Sequence, residues 1–229
     1  LTAILAVIVE PVRRPLDSFR GEGQAFRLRN VLAPLALAVR IPGLRRMAIC
    51  SLIFSAVQIG VAAFMVVYLD NVVGMTLAEA GSILAISNAC AIAGRILWGW
   101  VADRISARWV LSGLGVGMAA SLLALMSVTI DWPYAVVALV GVVIGATVIS
   151  WNGVFLAETA RQAPEGKVSE AMGGVLFVTF SGSVFGPPAL TGLLAVTGSY
   201  TAGFTVLAAA ALAMVAVFFF ARTPAKPQQ

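Results

Sequence analysis

Histidine is absent from all 229 residues. That removes the commonest general base, proton shuttle and metal ligand. Charge is scarce as well: 11% of residues are charged, against 60% that are apolar. A soluble domain carries roughly 25% charged residues to cover its surface, so this chain lacks the means to face water all round. The mean hydropathy of +0.98 agrees. There are two cysteines, Cys50 and Cys90, both inside apolar runs. They read as small packing residues rather than a redox pair. No metal-ligand spacing, no nucleophile elbow and no phosphate loop of the G-x-x-x-x-G-K-[ST] kind occurs. The expectation is therefore no metal, no cofactor and no enzyme.

What the chain has in abundance is long apolar runs, and these make it a polytopic all-α membrane protein. Charge-light runs cover 47–69, 80–101, 109–130 and 134–157. Residues 171–221 then hold no charge over 51 positions. One crossing needs about 20 residues, so this stretch is two helices, 171–197 and 200–221. The turn between them is "TGSY", Thr197 to Tyr200, with Gly198 at the helix end. The runs are continuous rather than alternating, so helices and not a barrel are implied. Ahead of the six, "LTAILAVIV" (1–9) is too short to span and reads as the end of a preceding helix. Residues 10–46 form a polar connector with Pro11, Pro15, Pro34 and Pro42, and a short interfacial helix near Phe26–Val39. Residues 222–229 form a tail.

The net charge is +5, an excess that in a soluble protein points to nucleic acid. Here it follows topology. Eight arginines lie between Val12 and Arg46, and the other basic residues are Arg95, Arg104, Arg108, Arg161, Lys167, Arg222 and Lys226. All fifteen fall on one side. The other side carries only Asp70, Glu79 and Asp131. The positive-inside rule makes the basic side cytoplasmic, with both ends of the six-helix unit there, in a plasma (inner) membrane. Nucleic acid falls away as a partner. The lipid bilayer is one, and segment 12–46 is suited to anionic lipid.

The stretch "GRILWGWVADRISAR", Gly94 to Arg108, drops four charges beside apolar sequence, at the turn between the second and third spans. A glycine such as Gly99 permits close helix approach. Asp103 is suited to accept from amides at a helix N-terminus. Arg104, Arg108 and Arg161 are suited to pair with Asp103 and Glu158. Ordinary positive-inside anchoring would place charges here too. Gly99, Asp103, Arg104 and Arg108 fit G-x-x-x-D-R-x-x-x-R, which resembles the loop signature of the major facilitator superfamily. Ser106 stands where the family has glycine, and Ala107 where it has a basic residue. "AETAR", Ala157 to Arg161, resembles the family's E-x-x-R partner of that loop. "GSVFGPP", Gly182 to Pro188, resembles its G-x-x-x-G-P element, and there Gly186, Pro187 and Pro188 break the helical ladder and are suited to a bend.

The resemblance covers residues 1–222 and implies one six-helix half of a carrier, the C-terminal one, whose partner is the N-terminal half. It implies that Gly99, Asp103, Arg104, Arg108, Glu158 and Arg161 form a cytoplasmic gate. It also implies that the first and fourth spans line the path, with the third and sixth as outer supports. Polar groups within the membrane are costly, which makes each a substrate candidate: Gln58, Asn88, Ser150, Trp151 and Asn152. Interhelical hydrogen bonding is the alternative for the amides. Arg95 either snorkels to the interface or meets an anionic group in the path. The function implied is secondary transport of a small-molecule substrate by alternating access. A self-pairing half-transporter and a non-transporting scaffold or receptor are the alternatives.

Overall fold

The computed structural model describes residues 28–220, with side chains from 32 to 218. The expected helix end at 1–9, the first part of the connector and the tail at 222–229 lie outside these residues. The chain divides between Ala33 and Pro34, and the unit beginning at Pro34 holds six helices long and apolar enough to cross a membrane. Among the described residues no strand occurs.

A short helix, α1 (Leu28–Arg40), is followed by α2 (Pro42–Tyr68). Between them Ile41 is extended, with φ −85° and ψ 117°. A residue before proline is pushed out of the helical region, and Pro42 at the first helical position needs no N–H partner. The first span therefore starts at Pro42, inside the stretch that composition assigned to the connector. It continues through a π turn, Leu69–Val73, and ends on Gly74 in the left-handed region, φ 84°.

α3 (Leu77–Arg104) opens with a capping box. Thr76 Oγ1 accepts from the Glu79 amide at 3.3 Å, and Glu79 accepts from the Thr76 amide at 3.0 Å. α4 spans Ala107–Met126, and the chain then turns before Pro133 caps α5. Apolarity alone carried this span to Ile130. The fourth crossing is divided: α5 (Tyr134–Ile144), a π turn at Gly145–Ile149, then α6 (Asn152–Gln162). α7 (Val168–Thr197) runs as one helix through Pro187 and Pro188 and stops at Gly198, φ 65°. α8 is Tyr200–Phe220.

The expected break at Gly186–Pro188 thus does not divide α7. Gly186 sits instead in the close seam between α7 and α2. A Cβ on Gly186 would lie 2.9 Å from Ala56 Cα, and one on Gly182 would overlap the Leu52 backbone. In the same seam Thr179 donates to Ser51 at 2.7 Å, and Ser55 and Ser183 share a 2.5 Å bond. Lipid gives helices no hydrophobic reason to associate, so small residues and hydroxyl pairs hold α2 to α7.

Burial is uneven, and the unevenness shows which faces are open. α4 buries 56% of its membrane window, α3 and α7 only 28% each. On α4 the exposed positions, Trp109, Gly113, Val116, Ala120 and Leu123, form one narrow helical stripe. On α3 and α7 broad apolar faces are open, including Ile96, Trp100, Phe180 and Phe185.

Candidate functional site

The polar centre of the unit is built by the break in the fourth crossing. The π turn at Gly145–Ile149 takes the backbone off the α ladder, and Ser150 and Trp151 link it to α6. π turns inside helices commonly mark functional positions. The Ala146 carbonyl collects two donors, the Ser150 hydroxyl and the Trp98 indole, the latter at 2.6 Å. Ser150 is thereby committed to its own segment. Gly94 of α3 lets this segment approach, since a Cβ there would lie 2.9 Å from Ser150 Cβ. Trp98 escaped the sequence reading. Its partner is a carbonyl within the π turn, and that turn has no sequence signature.

Below the break, Trp151 is buried edge-on between Phe54 (centroids 5.6 Å apart) and Phe155 (5.2 Å). Its Nε1 donates to Gln58 Oε1 at 2.9 Å. Asn152 Nδ2 donates to the same oxygen at 3.3 Å and to the Ile149 carbonyl at 3.3 Å. Gln58 from α2 and Trp151 and Asn152 from the fourth crossing, singled out separately in the sequence, thus form one node. The indole N–H can only donate, so the Gln58 carbonyl must face it. The Gln58 NH₂ group is then turned the other way, and among the described residues it has no hydrogen-bond partner.

Arg95 is exposed, more than two turns before the end of α3. Its backbone runs beside the first turn of α6: a Cβ on Gly153 would stand 3.5 Å from the Arg95 carbonyl and 3.9 Å from Arg95 Cβ. Among the described residues Arg95 makes no ion pair or hydrogen bond. Asn88 does not join the node. Its amide donates to the Leu84 carbonyl of its own helix at 2.9 Å.

At the C-terminal end of α3, Asp103 Oδ1 pairs with Arg161 Nη2 at 2.8 Å. Arg161 also stands 3.9 Å from Glu158, which accepts from Gln162 at 2.6 Å. The α3–α4 turn is tied to the end of α6 by this pair. Both partners are more than half exposed, so the pair is worth about 0–1 kcal/mol and breaks readily. Two expectations are corrected. Asp103 takes the Arg161 guanidinium rather than helix amides. Arg104 does not pair with Asp103 or Glu158: its guanidinium lies 3.5 Å over the Trp100 ring, one turn back. Arg108 stands in the first turn of α4. Gly99 receives no helix of this unit, because a Cβ there would meet nothing within 4 Å. Among the described residues no cluster of three or more acids or cysteines could hold a metal.

Comparison with known proteins agrees with this architecture. The family model described as the Major Facilitator Superfamily matches residues 1–160 and again 47–229. Two curated relatives, each named "Probable nitrate/nitrite transporter NarK2", come from Mycobacterium tuberculosis strains CDC 1551 / Oshkosh and ATCC 25618 / H37Rv. Each is 29% identical over 214 residues, which cover 92% of this chain and 52% of the relative. The chain therefore spans about half the length of the curated relatives it matches. With six apolar helices, a loop signature and a polar node, it belongs to the Major Facilitator Superfamily and is a multi-pass membrane protein.

Proposed function

We propose that this chain is the C-terminal half of a secondary transporter that moves a small inorganic anion, of the nitrate and nitrite class, across the plasma membrane by alternating access. Both ends of the six-helix unit face the cytoplasm in this reading, and an N-terminal six-helix half completes the path. The observation that carries the anion is the orientation of one amide. Trp151 consumes the carbonyl of Gln58, which leaves an NH₂ group at mid-membrane to offer two donors. Arg95 supplies a positive charge deep in α3 with no acid beside it among the described residues. A cation held within the membrane without a counter-ion is costly, and an anionic solute offsets that cost. The relatives' name points the same way.

The two ends of the arrangement have separate roles. The node binds Gln58, and with it α2, to α6 at the level of the solute. The Asp103–Arg161 pair closes the cytoplasmic side and opens once per cycle, which its exposure permits. Gly99, free of neighbours in this unit, receives a helix of the N-terminal half. The two half-bundles rock around the node.

Uptake by the full-length carrier in proteoliposomes tests this. Labelled nitrate is expected to enter saturably and to be competed by nitrite, but not by an uncharged sugar or by ammonium. Saturable uptake of the sugar or of ammonium, with none of nitrate, would overturn the anion reading.

A further inference from the structure

Gln162, the last residue of α6, carries the one buried side-chain polar atom without a hydrogen-bond partner among the described residues: its Oε1. The orientation is forced. Its Nε2 donates to Glu158 Oε1 at 2.6 Å, and flipping the amide would set two oxygens against each other. The carbonyl is thereby pressed toward Gly43, in the first turn of α2. A Cβ on Gly43 would overlap Gln162 Oε1 and would lie 3.2 Å from its Cδ and 3.8 Å from its Cβ. The seat exists only because residue 43 is glycine.

The surroundings make this a junction rather than a filled core. α2 begins there without a side-chain cap, behind the extended Ile41 and Pro42. The Ile41 amide donates to the Leu37 carbonyl and the Arg45 amide to the Ile41 carbonyl, Pro42 has no N–H, and the Gly43 and Leu44 amides are the ones a helix start leaves without an intrahelical acceptor. Thus a carbonyl lacking a donor lies beside a helix start with two amides that lack an intrahelical acceptor, and it bonds to neither. A buried polar group left unmatched in a native structure calls for an explanation. A second arrangement, in which α6 has shifted and the carbonyl finds a donor, supplies one.

We propose that the seat of Gln162 on Gly43 is a latch that opens and closes with the cytoplasmic path. Gln162 acts in it as a positioning residue for Glu158 and, through Glu158, for Arg161 and Asp103. Seated, it holds the end of α6 against α2 and keeps Arg161 in reach of Asp103. Released, it lets the end of α6 swing, and the ion pair parts with it. This rests on the alternating-access reading above, but not on which solute is carried.

The distance of 3.8 Å between the Gly43 Cβ position and Gln162 Cβ falls at about the separation found across a disulfide. The test is therefore the pair Gly43→Cys and Gln162→Cys in the full-length carrier, with Cys50→Ala and Cys90→Ala. A third introduced cysteine, Gln58→Cys, is probed with a maleimide from the cytoplasmic face of inside-out vesicles. With the pair reduced, Gln58→Cys labels. After oxidation its labelling is expected to fall about tenfold, and reductant is expected to restore it. Unchanged labelling on bridging would overturn the latch, and failure of the pair to cross-link would contradict the contact itself. Gly43→Ala alone, which displaces the carboxamide, is expected to raise labelling severalfold; no rise would count against the latch even if the cysteine pair failed to fold. Nitrate uptake by the protein with native Gly43, Gln162 and Gln58, measured in parallel, reports separately on the solute, so the two readings fail independently.

Discussion

Replacing Gln58 by leucine removes the acceptor that Trp151 and Asn152 share, and the cost can be worked from the geometry. A buried donor left without a partner costs about 1–3 kcal/mol. Within membranes the measured coupling of such bonds averages about 0.6 and reaches about 1.7 kcal/mol, because the unfolded chain also finds partners. The Trp151 indole is walled in by Phe54 and Phe155, which excludes water and favours the upper part of that range. Asn152 contributes less, since it keeps the Ile149 carbonyl at 3.3 Å. The total for Gln58→Leu is about 2 kcal/mol. Trp151→Phe mixes the same bond with a packing loss, so the single variants do not separate the two. The double-mutant cycle does. Unfolding of the full-length protein in mixed micelles, followed by circular dichroism, is expected to give a coupling of about 1 kcal/mol, or about fivefold in the equilibrium constant. A coupling below about 0.3 kcal/mol would refute the claim that Gln58 and Trp151 act as a bonded pair.

Other consequences are open to direct measurement. Gly145→Ala drives a Cβ into the Ser87 backbone of α3; the clash is expected to cost about 1–3 kcal/mol by the same unfolding assay, and an unchanged midpoint would contradict the close approach. Gly113→Ala, with nothing within 4 Å, is expected to stay within about 0.5 kcal/mol of the parent. Asp103→Asn removes the charge that Arg161 meets; transport is expected to slow while insertion and fold persist, and normal uptake rates would sink the gating role. Thr179→Val deletes the bond to Ser51 and is expected to loosen α2 from α7 by about 0.6–1.7 kcal/mol, read as a lower unfolding midpoint.

The spans are legible in the sequence because a charged residue inside a bilayer is costly, and the gaps between charges therefore outline the helices. Their faces are not. Lipid is as apolar as the protein interior, so the side of α4 carrying Val116 and the side carrying Leu114 look alike, though one is exposed and the other buried. Small residues are the better guide: Gly94, Gly145, Gly182 and Gly186 all mark backbone contacts. The Asp103–Arg161 pair is one of several that the two charged motifs allowed between Arg104, Arg108 or Arg161 and Asp103 or Glu158. The fate of Arg104 could not be read from them, because Trp100 one turn earlier competes for it with a ring face rather than a charge. Gln58, Trp151 and Asn152 stood out as polar or amphipathic groups at depth. That they meet depends on the register between α2 and a crossing reset by a π turn, and no composition reports it. Asn88 has the same chemistry and depth, yet is taken up by its own helix.

The central claim is the proposal that the Gln58 amide and the Arg95 guanidinium both serve a small anionic solute. Counterflow of labelled nitrate in proteoliposomes holding the full-length carrier, compared with its Arg95→Gln variant, tests it most directly. The account predicts saturable counterflow in the parent, a loss of at least about tenfold in Arg95→Gln, and parental rates in Asn88→Leu. Full counterflow in Arg95→Gln would contradict it.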